Sequence, residues 1–184
     1  LYAAACDDLV AGAVAVVRRQ GARGGADMYG RERQQQVLEV AGHRCLVAQH
    51  AQAQAGEPLL LLLLDGIQDP HNLGACMRTA DAAGVDAIVV PRRGAAGLGP
   101  TVSKVAAGAA EQLPYAPVAS LAKTLDWLGE YGVRRVGTSD KADSSLYDAE
   151  FGASVALVMG REHTGLSSAI ARRCWMTWTH SASR

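Results

Sequence analysis

The sequence has no surplus of either charge: Lys and Arg together number 18, and so do Asp and Glu. That balance excludes a protein that grips nucleic acid through bulk positive charge, so any RNA contact must be local. Candidate basic spots are Arg18 with Arg19 and Arg23, Arg92 with Arg93, Arg134 with Arg135, and Arg172 with Arg173. Each is only a pair or triple, for which a solvated surface is the ordinary reading. Long apolar runs are missing too. The longest, Pro58 to Leu64, is far too short to span a bilayer, and the first residues show no charged start followed by a long apolar core. The cytoplasm is therefore the expected location, with no membrane partner. Cysteine is sparse, and Cys6, Cys45, Cys76 and Cys174 include no close pair, so neither a zinc site nor a disulfide framework is indicated. No metal is expected, and a reduced compartment fits.

What is present is enough apolar material, 49% of 184 residues, for one well-buried domain and a fragment of a second. Residues 1–57 are rich in Ala, Gln and Gly, weakly periodic, and free of aromatic residues after Tyr29; from Pro58 onward the pattern turns regular. We read 1–57 as a poorly defined N-terminal segment and 58–184 as the main domain. Short β-rich runs at Leu59–Leu64, Val85–Pro91, Pro114–Val118, Val133–Thr138 and Val155–Gly160 alternate with helical stretches at Leu73–Ala83, Thr101–Gln112 and Leu121–Tyr131. Gly84 and Gly132 stand where helix C-caps belong, and Ser120 where an N-cap belongs. The connection Ser139–Ser154 shows no convincing helix. This alternation predicts an α/β domain, a parallel sheet with helices on both faces, with ligands at the carboxyl ends of the strands. The loops beginning at Asp65, Pro91, Gly137 and Gly160 are the places to look.

The first loop reads Asp65-Gly66-Ile67-Gln68-Asp69-Pro70-His71-Asn72-Leu73-Gly74, followed by a helix carrying Arg78, Thr79 and Asp81. Asp-Gly is a turn signal, and Asn72 could do no more than cap the helix. A turn does not explain so many polar groups directly after an apolar strand, with Arg78 less than two helical turns beyond the cap. A ligand-binding or catalytic loop is the alternative. A mononucleotide-binding loop is excluded, because no Gly-x-Gly-x-x-Gly follows the first strand.

The run from Leu63 through Asp65, Asn72 and Arg78 to Ala80 closely resembles the first signature of SpoU (TrmH) type RNA 2′-O-ribose methyltransferases, members of the knotted SPOUT superfamily. The continuation to Pro91 is similar to the bacterial enzymes that methylate a guanosine ribose in 23S ribosomal RNA. Lys104, Gly108, Ala109 and Glu111 fall where that family places its second helix. Met159-Gly160-Arg161-Glu162-His163-Thr164-Gly165-Leu166 resembles the second signature, Gly-x-Glu-x-x-Gly. His163 departs from the glycine expected there and reads as an exposed loop histidine. Gly42, His43, Val47 and Ala48 are loosely like the end of a small RNA-recruiting domain.

The resemblance implies S-adenosylmethionine as cofactor, RNA as partner and a homodimer. Asn72 and Arg78 would orient the ribose and adjoining phosphate, and Glu162 would hold the acceptor loop. A guanidinium rarely gives up its proton, so Arg78 is read as a phosphate-binding, alkoxide-stabilising fork rather than as the base. The cofactor would lie near Gly137, Thr138 and Gly160, where missing side chains permit close approach. Trp127, on an amphipathic helix, reads as core or dimer packing.

In that family a final strand and helix thread the knot and supply a Ser-Leu-Asn motif. Here Cys174 is followed by Trp175-Met176-Thr177-Trp178-Thr179-His180-Ser181-Ala182-Ser183-Arg184, in which neither that strand nor that helix is recognisable. Trp and Met have single codons, so Trp175–Trp178 is encoded TGG ATG ACN TGG. Read from the third base, this gives Asp, Asp, then Leu, Met or Val, and the family continues Asp, any residue, Leu. A frame shift near Cys174 and an incomplete knot are therefore expected, and sequencing the source DNA tests the first. The alternative to an active enzyme is a non-catalytic remnant that keeps at most RNA binding.

Overall fold

The computed structural model describes residues 11–12, 59–139, 144–145, 154–174 and 176–179. The expected N-terminal segment 1–57, with its loosely RNA-recruiting pattern, lies outside the described residues apart from the helical pair 11–12.

Five consecutive leucines, Leu60–Leu64, form strand β1, and all are buried. A strand with no polar alternation must be covered on both faces, and so must lie inside a sheet. β1 indeed pairs in parallel with β2 (Ala87–Pro91) on one side and β6 (Val155–Met159) on the other. With β3 (Tyr115–Val118), β4 (Arg134–Thr138), β5 (Ser144–Ser145) and β7 (Met176–Thr179), the described residues form a seven-stranded sheet in the order β3-β2-β1-β6-β4-β7-β5. Every pairing in it is parallel.

Alternate leucines sort to opposite faces. Leu60, Leu62 and Leu64 join a cluster with helices α1 (Pro70–Ala82), α2 (Pro100–Ala106) and α3 (Ala109–Gln112), through Leu73, Met77, Val102 and Ala109. Leu59, Leu61 and Leu63 join α4 (Leu121–Glu130) and α5 (Ser168–Ala171), through Leu121, Leu125, Leu128 and Ile170. At roughly 1.5–3 kcal/mol for each large side chain fully buried, this two-sided core is the main stabilising term. The expected parallel sheet with helices on both faces is therefore what the chain forms.

The helix ends follow their local chemistry. Helix α1 starts earlier than expected because Asp69, not Asn72, is its N-cap: the Asp69 carboxylate accepts from His71 N–H, and Pro70 needs no N–H partner. Gly84 (φ 73°) and Gly132 (φ 74°) close α1 and α4 in matching fashion, Val85 N–H donating to the Ala80 carbonyl and Val133 N–H to that of Leu128. Ser120 caps α4 by accepting from Lys123 N–H.

Other boundaries are corrected by the structure. The helix expected over Thr101–Gln112 is two, broken where Ala107 (φ 51°) and Gly108 (φ 96°) turn left-handed. The residues after Cys174 do form a strand. β7 pairs with β4 in the register Val136↔Met176 to Thr138↔Trp178, between β4 and β5, which are consecutive in sequence. Met176–Thr179 carries no apolar run, so periodicity gave no sign of it. Cys76 is buried on α1, and among the described residues Cys174 is a free thiol.

Candidate functional site

Because β1 and β6 are neighbours with Leu64 level with Met159, the loops that follow them open side by side at the carboxyl edge of the sheet. Their junction begins in the backbone, where Asp65 N–H donates to the Met159 carbonyl at 2.7 Å. Asp65 is the one buried charged side chain among the described residues, 8% exposed. Its Oδ2 accepts from Ser167 N–H at 3.0 Å, tying the start of the first loop to the end of the second. A buried carboxylate needs such a donor, because leaving it unpaired would cost several kcal/mol, roughly.

The second loop closes on itself. Arg161 N–H donates to the Gly165 carbonyl at 2.9 Å and Gly165 N–H to that of Arg161 at 3.0 Å. This return path passes directly over Gly160, where a Cβ would lie 2.1 Å from the Gly165 carbonyl carbon and 2.2 Å from Leu166 N. Glycine is obligatory there. Gly66 (φ 88°) turns the first loop, and its open face carries the Arg161 side chain, whose Nε would be 2.6 Å from an added Cβ.

Across this junction Asn72 Nδ2 donates to Glu162 Oε2 at 3.3 Å, joining residues 90 positions apart. Two of the sequence-derived candidates are thus brought together at the mouth of the loops, with Asn72 half-buried and Glu162 exposed. Arg78 stands elsewhere on the same helix. It lies exposed on α1, six residues and therefore about 240° around the helix from Asn72, on a stripe it shares with His71. His163 is exposed, as its loop position implied.

Gly137, Thr138 and Gly160 stand at the carboxyl ends of β4 and β6, paired strands with Gly137 level with Val158. The space beside Gly137 is filled from within: a Cβ would meet Leu166 Cδ1 at 2.7 Å and Cys174 Cβ at 3.0 Å. Both glycines therefore make room for the chain's own second loop, where the sequence reading assigned the room to a ligand. Thr138 is half-exposed. Cys174 is held here too, its thiol pushed up to about 11 by burial, with Arg135 lowering it and Asp65 raising it further.

Asp65, Ser167 and Arg161 were not singled out from the sequence. For Asp65 a signal existed, since a carboxylate directly after a wholly buried strand must find a donor. For Ser167 and Arg161 there was none, because their roles arise from the fold-back of the second loop. Among the described residues no cluster of His, Cys, Asp and Glu suited to a metal is found, and no helix is long and apolar enough to cross a membrane. Trp127 is half-buried against the α4-side core with its ring 4.7 Å from that of Tyr131, as a packing role implies.

A sequence profile of the SpoU rRNA Methylase family matches residues 59–179. The 23S rRNA (guanosine-2′-O-)-methyltransferase RlmB of Neisseria meningitidis serogroup B is 53% identical over 120 residues, 65% of this chain and 48% of that protein. RlmB of Ralstonia nicotianae is 50% identical over 117 residues, 64% of this chain and 47% of that protein. The chain thus spans about half the length of the curated relatives it matches. Among solved structures, the SpoU methyltransferase AviRb from Streptomyces viridochromogenes, in complex with AdoMet, is similar with TM-score 0.63 and 29% identity, over 70% of this chain and 52% of that one. An AdoMet-bound rRNA methyltransferase from Sinorhizobium meliloti has TM-score 0.61 and 27% identity, over 67% of this chain and 47% of that one.

Proposed function

Because the chain belongs to the SpoU rRNA methylase family, we propose that it transfers a methyl group from S-adenosylmethionine to a ribose 2′-hydroxyl of RNA, the acceptor being a guanosine of 23S ribosomal RNA. The observation that carries this reading is the Asn72–Glu162 hydrogen bond, which joins the first and second signature loops at the carboxyl edge of the sheet. Ribosomal RNA as substrate sets the protein in the cytoplasm.

Because the chain's own second loop and Cys174 fill the space where side chains would stand at Gly137 and Gly160, these residues would hold the cofactor through backbone groups and the Thr138 hydroxyl, neutral partners for adenine and ribose edges. When bound there, S-adenosylmethionine supplies an electrophilic methyl group. The chain's own residues supply placement. Asn72, fixed at one end by Glu162, keeps its amide oxygen and second N–H for the ribose. Glu162 holds Asn72 and, through the Arg161–Gly165 turn, the second loop. Arg78 binds the phosphate next to the acceptor ribose and favours the developing alkoxide. A homodimer belongs to the same proposal: Arg78 stands on a different stripe of α1 from Asn72, and a second copy would bring both to one ribose.

The test is incubation of the chain with radiolabelled S-adenosylmethionine and unmodified 23S ribosomal RNA, with the ribose methyl mapped by primer extension and cofactor binding followed by calorimetry. Label on one guanosine ribose is the expected result. Cofactor binding without label would reject the substrate, and RNA binding without cofactor binding would mark a non-catalytic RNA-binding chain.

A further inference from the structure

The loop between β2 and α2, residues 92–99, sits on the same carboxyl edge, yet the proposed chemistry makes no use of it. It is fastened to the first signature loop, Ala96 N–H donating to the Ile67 carbonyl at 2.7 Å. From the other side the half-buried Tyr115 hydroxyl donates to the Ala96 carbonyl at 2.5 Å. A loop pinned at its centre on both backbone groups presents its two limbs in fixed positions. One limb carries Arg92 and Arg93, both exposed, before the left-handed turn at Gly94 (φ 79°). The other carries Leu98, 48% exposed and one of two exposed large hydrophobic residues among those described. Gly97 and Gly99 flank it with nothing within 4 Å of where a Cβ would stand, so Leu98 projects from open backbone.

A singly exposed leucine is ordinary on a protein surface, but this one shares a pinned loop with two exposed arginines, and a strand of RNA offers phosphates to guanidinium forks and the flat apolar faces of unstacked bases to a leucine. The chain has no net charge, so phosphate contacts must be concentrated in such spots. Resting on the function proposed above, we propose that residues 92–99 hold the single-stranded RNA flanking the acceptor nucleotide, with Arg92 and Arg93 on its phosphates and Leu98 against one base. Asn72 and Glu162 would then position the ribose while this loop selects and registers the strand beside it.

The experiment titrates a short fluorescein-labelled single-stranded RNA with the full chain by anisotropy between about 50 and 200 mM salt, the range over which counterion release is resolved. Arg93→Ala should weaken binding severalfold and make the log–log salt slope shallower by about 0.7, one phosphate contact on a single strand. Leu98→Ala should weaken binding severalfold with the slope unchanged, and Arg172→Ala, on a different face, should change neither. All three positions are exposed, so thermal unfolding should match the parent chain. Wild-type affinity and slope in Arg93→Ala, or no RNA binding by the parent chain, would overturn the proposal. A Leu98→Ala effect on sedimentation mass without one on RNA affinity would reassign Leu98 to a contact between copies and overturn its role. Calorimetry with S-adenosylmethionine on the same samples separates the two readings. Loop-dependent RNA binding without cofactor binding removes the methyltransferase reading alone, and methylation with unchanged KM for RNA in Arg93→Ala removes the loop proposal alone.

Discussion

The residue that organises the site is Asp65, whose carboxylate ends a wholly buried strand and reaches Ser167 N–H in the opposite loop. Asp65→Asn keeps the shape and one acceptor oxygen but loses the charge-assisted character of the bond. We expect a loss of about 1–2 kcal/mol in urea unfolding, with a larger fall in methyl transfer, because Glu162 rides on the same loop. Cys174 gives an independent readout. Its thiol is raised from 9.0 to about 11, so at pH 8 roughly one molecule in a thousand is thiolate, against about a tenth for an unperturbed cysteine. Alkylation of the Cys174 peptide by iodoacetamide, followed by mass spectrometry, should run about a hundredfold slower in the folded chain than in urea. Since the Asp65 charge raises this thiol, Asp65→Asn should speed the reaction. The sign for stability follows: the neutral thiol is favoured in the folded state, so its contribution is complete below pH 9 and is lost as pH rises through about 11. Alkylation as fast folded as unfolded would contradict the packing of Cys174 beside Gly137. Of these residues the sequence displayed Asn72 and Glu162 through the motifs they sit in. It hid Cys174, because a lone cysteine's burial depends on Gly137 making room for it in three dimensions.

Among elements, the strand–helix alternation was legible wherever local chemistry and tertiary packing agree. The leucine run of β1, the glycines closing α1 and α4, and the Ser120 cap each have a cause within a few residues. Failures fall where the cause is distant. The break between α2 and α3 rests on one alanine held left-handed, and β7 exists because β4 offers it an edge to pair with. The tight contact between α1 and α2 is another case, since only the packed helices show why Gly74 is small. A Cβ there would lie 2.7 Å from Val105 Cβ and 2.9 Å from the Val102 carbonyl oxygen. Gly74→Ala therefore sets a helix-propensity gain of about 1 kcal/mol against overpacking of about 1–3 kcal/mol. The expected outcome is a net loss of up to about 2 kcal/mol, read as a lower urea midpoint at unchanged m value. A stabilised variant would mean that α1 and α2 separate readily, and α1 would then be a poor base for Asn72.

At the scale of the whole molecule, the parallel sheet places β6 between β1 and β4, which is what lets a loop late in the sequence meet the first one. The same architecture puts Arg78 on a different stripe of α1 from Asn72, and we propose that the constellation is split between copies. If a homodimer repairs the split, each site takes Arg78 from one copy and Asn72 with Glu162 from the other. Arg78→Ala and Glu162→Gln should then each abolish most methyl transfer alone while leaving thermal unfolding unchanged, both side chains being exposed. Mixing the two variants after mild unfolding and refolding gives mixed dimers as half of the population. In a mixed dimer one site receives both defects and the other receives neither. A shared site therefore predicts recovery to about a quarter of wild-type activity, far above either variant alone. If Arg78 instead serves the pair on its own chain, every site in every dimer carries one defect and mixing recovers nothing. Recovery would tie the function of the fold to its dimer, because half of the chemistry would then come from the neighbouring copy.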